Sequence, residues 1–117
     1  MSKNLVKSWT TKSGLNAFIF LIKDSHHCGY VVLPACLSDF DFDEELIDVH
    51  GGITYSGNPD WSGGLTVIGY DCAHAGDQCF GYKDGVWRDV DFCTDECEKL
   101  ASQLISLTNR NVDGNIK

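Results

Sequence analysis

Apolar and polar positions alternate through the first third of the chain. Across residues 4–10, Leu5, Lys7 and Trp9 fall on one side and Val6 and Ser8 on the other, the pattern of a half-exposed strand. Thr11-Lys12-Ser13-Gly14 carries turn residues. Leu15 to Lys23 holds the run Phe18-Ile19-Phe20-Leu21-Ile22, too short for a core helix and rich in β-formers, which predicts a strand buried on both faces. Asp24-Ser25-His26-His27 reads as a polar turn, and Gly29 to Leu33 as a third strand closed by Pro34. The opening is therefore an antiparallel meander.

Beyond Leu37 the pattern changes. Within Ser38 to Asp48, Asp39-Phe40-Asp41-Phe42-Asp43-Glu44-Glu45 alternates acid with aromatic and then becomes all acidic, which reads as a solvated loop or short helix. Asp39, Asp41 and Asp43 have the spacing of calcium ligands. Glu44 stands where an EF-hand loop needs glycine and His50 where it needs glutamate, which rules that motif out. Ile47 to Tyr55 predicts another strand, interrupted at Gly51-Gly52 by a bulge or a close backbone approach. Leu65 to Tyr70 follows as a strand, Ala73 to Gly76 as a turn and Asp77 to Val86 as a loop. Asp89 or Asp91 caps a final helix that runs to about Thr108. Its apolar stripe is Cys93, Cys97, Leu100, Ala101, Leu104 and Ile105, and its first turns are acidic. Asn109 to Lys117 is polar and reads as a frayed tail. The sum is a single α+β domain over 1–117: a twisted antiparallel sheet packed against one long C-terminal helix.

Composition narrows the classes of function. Forty-three per cent apolar and 22% charged residues in 117 suffice for a packed soluble core. Residues 1–38 carry four lysines against one acid; the rest carry five cations against sixteen acids, and the net charge is −8. Such a chain is repelled by phosphate backbones, which argues against direct nucleic-acid binding. The longest apolar run, Ala17 to Ile22, is too short to span a membrane, and the N-terminus lacks an apolar signal core, so a cytoplasmic protein is expected. The six cysteines, at 28, 36, 72, 79, 93 and 97, include no Cys-x-x-Cys pair and read as small buried hydrophobes.

Candidate chemistry concentrates between His50 and Asp77. His50-Gly51-Gly52-Ile53-Thr54-Tyr55 offers an imidazole, main-chain N–H groups bare of β-carbons for a phosphate or carboxylate, a hydroxyl and a phenol. Tyr70-Asp71-Cys72-Ala73-His74-Ala75-Gly76-Asp77 is the densest polar cluster. The candidate ligand-binding set is His50, Gly51, Gly52, Thr54, Tyr55, Trp61, Asp71, His74 and Asp77, with Tyr55 or Trp61 stacking. As catalytic groups, His74 would act as base and Asp71 as its orienter. No cofactor is demanded. A divalent metal on His50, His74, Asp71 and Asp77 is the alternative, and a plain structural turn is the third reading. Cys72 with His74 is the better of two thiol–imidazole pairs, since residues two apart share a strand face. Trp87 and Arg88 border the same region.

These two motifs resemble paired motifs of small phage-encoded proteins that carry no assigned function. Cys28-Gly29-Tyr30-Val31 and Trp87-Arg88-Asp89 look similar too, and the resemblance covers most of residues 28–105. It implies a phage accessory or counter-defence protein in the host cytosol. Its partner would be a small nucleotide-type ligand or a host defence protein docked on the acidic Asp39 to Asp48 face, and a homo-oligomer is compatible with either. A small hydrolase is the enzymatic alternative.

Overall fold

The computed structural model describes the backbone of residues 3–23, 25–37, 44–74, 76–79 and 85–116, and side chains over the same ranges except at 3 and 108–116. Five strands form one antiparallel sheet: β1 (Lys3–Thr10), β2 (Asn16–Ile22), β3 (His26–Val32), β4 (Tyr55–Gly57) and β5 (Val67–Asp71), in the order β1-β2-β3-β5-β4. One helix, α1 (Val90–Ile116), lies across one face. The expected α+β class is the observed one. Among the described residues no helix is long and apolar enough to cross a membrane.

Alternation sorts the side chains. Toward α1 point Ala17, Ile19, Val31, Ile68 and Tyr70, which meet Cys93, Cys97, Leu100, Ala101 and Leu104 in a core of fully buried residues. Each large side chain buried there contributes about 1.5–3 kcal/mol relative to exposure. The opposite face carries aromatics. Trp61, from a short 3₁₀ turn (Asp60–Ser62), packs against Phe18, Phe20 and Tyr30, with ring centroids 5.3, 5.8 and 5.9 Å away. Tyr55 packs edge-on against Tyr30 at 5.8 Å.

Two tyrosine–glycine pairs make these faces fit. Gly29 lies opposite Tyr70 and Tyr30 opposite Gly69. A β-carbon on either glycine would enter the ring of its cross-strand partner. Tyr70 thereby lies flat on the helix side, where its hydroxyl donates to the Cys93 carbonyl oxygen at 2.9 Å.

Three local expectations are corrected. The register shifts between Leu5 and Lys7, so Leu5 pairs with Phe20 while Lys7 pairs with Ile19. This bulge puts Leu5 on the aromatic face and leaves Lys7 and Trp9 facing α1. There Lys7 Nζ donates to Thr94 Oγ1 at 3.0 Å and Trp9 Nε1 to Glu98 Oε2 at 2.9 Å. His26 and His27 belong to β3, because the hairpin is tighter than their polarity suggests: Lys23 takes a positive φ of 50° and Ser25 N–H bonds Ile22 O at 2.7 Å. Ile47 to Tyr55 is not a strand. Ile47 and Val49 reach the core from an irregular segment, and pairing begins only at Tyr55.

The helix starts as read. Asp89 Oδ1 accepts the Phe92 N–H at 2.8 Å, an N-cap to the third helical residue. Its backbone continues past Thr108 to Ile116.

Candidate functional site

At the end of the sheet where β5 stops, the chain turns on its own carboxylates. Asp71 Oδ1 accepts the Ala73 N–H at 3.1 Å. The His74 N–H donates to Asp77 Oδ2 at 3.1 Å, and the Asp77 N–H to His74 O at 2.9 Å. This reciprocal pair closes the turn and buries the Asp77 side chain completely. A buried carboxylate requires partners, and Asp77 has them on both oxygens. His50 Nε2 lies 2.7 Å from Oδ2, and Arg88 Nε donates to Oδ1 at 2.8 Å. Burial alone pushes the Asp77 pKa up; hydrogen bonds from Arg88, His50 and the His74 backbone outweigh it and hold the carboxyl below its ordinary value.

Besides Asp77, three neighbours position His50. Its own N–H donates to Glu96 Oε1 of α1 at 2.8 Å. Its ring meets Phe92 at 5.2 Å and His74 at 5.7 Å, both edge to face. Phe92 in turn is covered by the Arg88 guanidinium, 4.8 Å from its ring centroid. Because the Asp77 carboxylate only accepts, His50 Nε2 is the donor in this contact, and Nδ1 is the ring nitrogen turned away from it.

His74 forms the outer half of the site. Its Nε2 is 3.0 Å from Asp71 Oδ1, with both side chains about one-third exposed. The approach lies off the hydrogen-bonding direction, and this buried nitrogen makes no hydrogen bond within the structure. Its ring rests on Gly51, where a β-carbon would collide with it. The other two histidines stand nearby. His27 Nδ1 donates to the Arg88 carbonyl oxygen at 2.8 Å, and its ring lies 5.2 Å from Trp87. Burial lowers the His26 pKa, with Asp71 opposing and Asp77 and His74 also acting on it. All four histidines of the chain thus gather around Asp71 and Asp77.

The site expected from sequence assembles in part. His50, Asp71, His74 and Asp77 converge, and Gly51 is the surface on which His74 rests. Gly51 and Gly52 do not both offer a bare N–H, since that of Gly52 is engaged. They close a β-turn in which Gly51 takes a φ of 71° and the Gly52 N–H bonds Val49 O at 2.8 Å. Tyr55 and Trp61 stand on the aromatic sheet face, 37% and 40% exposed, and Thr54 is exposed with its N–H on Gly69 O.

Asp71 connects the two regions. It pairs with Cys28 two residues beyond the Tyr30–Gly69 pair, so its side chain shares the aromatic face. Burial pushes the Tyr30 phenol well above its ordinary pKa, with Cys28 and then Asp71 adding to the shift.

Among the described residues no three His, Cys, Asp or Glu side chains converge as ligands. The physical reason is that His50 Nε2 and Asp77 already face each other, and Arg88 occupies the remaining Asp77 oxygen. The Cys72–His74 pair does not form either. β5 ends at Asp71, so alternation stops, and Cys72 turns into the core with its thiol pKa pushed up by its contact with Cys93 and by burial. Asp39 to Asp43 of the acidic face lie outside the described residues. Asp48, at its end, is clasped by Gln103 through its N–H at 2.7 Å and its carbonyl at 2.8 Å.

Arg88, expected only at the border of this region, completes the site with Phe92 and Glu96, which were not among the predicted site residues. Arg88 carried a signal, since an acid-rich chain that buries an aspartate needs a cation, and it has only two arginines. No family model matches the chain, and no curated protein or solved structure is significantly similar to it.

Proposed function

We propose that the chain binds a small polar ligand of nucleotide type across the seam between the aromatic sheet face and the histidine cluster. The observation that supports this is the double membership of Asp71, which shares a face with Tyr30 and Tyr55 and lies 3.0 Å from His74 Nε2. A planar base stacks on Tyr55 or Trp61, at about 1–3 kcal/mol per base. The Asp71 carboxylate accepts sugar hydroxyls, and the imidazoles of His74 and His50 meet the anionic part when protonated. Arg88 offsets the charge of Asp77 beneath them. The resemblance to small phage proteins supports a role in sequestering a nucleotide signal.

Calorimetric titration with mononucleotides, dinucleotides and cyclic nucleotides tests this, using Asp71→Asn, His74→Ala and Trp61→Ala. At least one class binds, and each substitution weakens it tenfold or more. If none binds, or if binding ignores both Asp71→Asn and His74→Ala, the proposal fails.

A second reading rests on a different observation, the buried Asp77 that orients His50 at 2.7 Å. An imidazole held by a buried carboxylate is a general base for water, and such groups contribute about 10²–10⁴ in rate. On this reading the protein hydrolyses its ligand, and His50→Ala removes turnover while leaving binding measurable. Intact ligand after prolonged incubation with the wild-type protein would sink it.

A further inference from the structure

Four of the six cysteines are buried, and two of those touch. Cys72 Sγ lies 3.6 Å from Cys93 Sγ, with the residues 1% and 0% exposed. One sits just past the end of β5, the other in the first turns of α1. Each adjoins the histidine cluster. Cys72 follows Asp71 and enters the turn that carries His74 and Asp77, while Cys93 follows Phe92, whose ring meets His50 at 5.2 Å. Cys97 is engaged elsewhere, its sulfur 3.7 Å from the Tyr70 hydroxyl.

The two thiols are not equivalent. The contact shared by the two sulfurs holds the Cys93 thiol below its ordinary pKa against the opposing effect of burial. Cys72 is pushed the other way. Two sulfurs already in contact at 3.6 Å are the arrangement in which one cysteine, once oxidised, is resolved by the other.

We infer that Cys72 and Cys93 are a redox-active pair that closes to a disulfide under peroxide and fastens the Asp71–Asp77 turn to helix α1. The Cys93 thiolate attacks one oxygen of hydrogen peroxide. The O–O bond breaks, Cys93 becomes a sulfenic acid, and the departing hydroxide takes a proton to become water. The Cys72 sulfur then attacks the Cys93 sulfur and the S–O bond breaks; the released hydroxide takes the Cys72 proton as a second water. Two thiols lose two electrons, and one peroxide is reduced to two waters. Peroxide is small enough to reach the pair during local opening of the turn. The sulfurs approach from 3.6 Å to about 2.05 Å, a movement shared by turn and helix.

The test needs no ligand, so its outcome is independent of the binding proposal. Folded wild-type protein is titrated with hydrogen peroxide, remaining thiols are alkylated in denaturant, and linked peptides are mapped by mass spectrometry. The expected product has lost two hydrogens per chain, carries a Cys72–Cys93 link and is restored by dithiothreitol. Its thermal midpoint rises by about 10 °C, as expected for a bridge across a loop of this length. Hydrogen exchange slows in the 72–79 turn. Cys72→Ala and Cys93→Ala each abolish the link and the rise. The wild-type peptide map stands alone should either variant fold poorly. The inference is overturned if Cys72 and Cys93 stay fully alkylatable, if the link joins Cys36 or Cys79 instead, or if peroxide yields only irreversible sulfinic acid.

Discussion

Replacing Arg88 with methionine isolates the cation beneath the histidine cluster while keeping most of the side-chain stem. The change removes the Nε bond to Asp77 Oδ1 at 2.8 Å and the guanidinium over Phe92 at 4.8 Å. A hydrogen bond to a buried charge contributes about 1.5–3 kcal/mol, and a partly exposed cation–π contact about 0.5–1 kcal/mol. Asp77 keeps His50 and the His74 N–H, so the cost stays below the 3–5 kcal/mol or so of a buried ion stripped of its partner. The expected loss is about 2–3 kcal/mol. Unfolding entropy for a chain of this size makes 1 kcal/mol worth about 4 °C, so the midpoint falls by about 8–12 °C. The pH dependence carries a second signature. The folded Asp77 carboxyl lies below its ordinary pKa, so its ion stabilises the fold above the unfolded pKa, and that stability is lost as pH falls through the folded value. Without Arg88, burial is less opposed and the folded pKa rises. Acid unfolding then begins at higher pH. Urea melts from pH 3 to pH 7 on wild type, Arg88→Met, Asp77→Asn and the double variant measure both effects. A coupling energy within about 0.5 kcal/mol of zero would refute the reasoning.

Two further substitutions probe the frame around the site. Gly51→Ala forces a β-carbon into the His74 ring at a φ of 71°, and is expected to cost about 2 kcal/mol or more in urea melts and to shift the His74 ring resonances in NMR spectra. Unchanged His74 resonances would mean that the ring does not rest there. Asp89→Ala deletes the cap on the Phe92 N–H and is expected to cost about 1 kcal/mol, whereas Asp89→Asn retains most of it; equal losses would assign the effect to charge rather than capping.

The fold was legible wherever one periodicity governed a whole element. The Phe18 to Ile22 run and the Cys93 to Ile105 stripe each became the element they predicted, because one face of each is buried against the same core; residues 4–10 became a strand too, but the bulge between Leu5 and Lys7 broke their alternation. Legibility failed where tertiary contact overrode local polarity. His26 and His27 look like turn residues but are buried in the ladder opposite Ile22 and Leu21. Val49 looks like a strand residue but reaches the core from an irregular segment. Of the site, the residue types within each motif were readable and their pairing was not. His50 meets Asp77 across 27 positions, while the spacing within the second motif suggested a His74–Asp71 relay. No local pattern records that one carboxylate faces inward and its neighbour six residues earlier faces the rim.

The hydrogen bonds from Lys7 and Trp9 to α1 cross 87 and 89 positions, spanning nearly the whole chain. On the ribosome every strand therefore emerges before the helix that covers it, and the row of Ala17, Ile19, Val31, Ile68 and Tyr70 waits uncovered in nascent chains. Synthesis of this protein has a vulnerable interval that ends only when the turns carrying Leu100 and Leu104 leave the exit tunnel. Its yield in cells should respond more to chaperone supply and translation speed than its equilibrium stability alone would indicate.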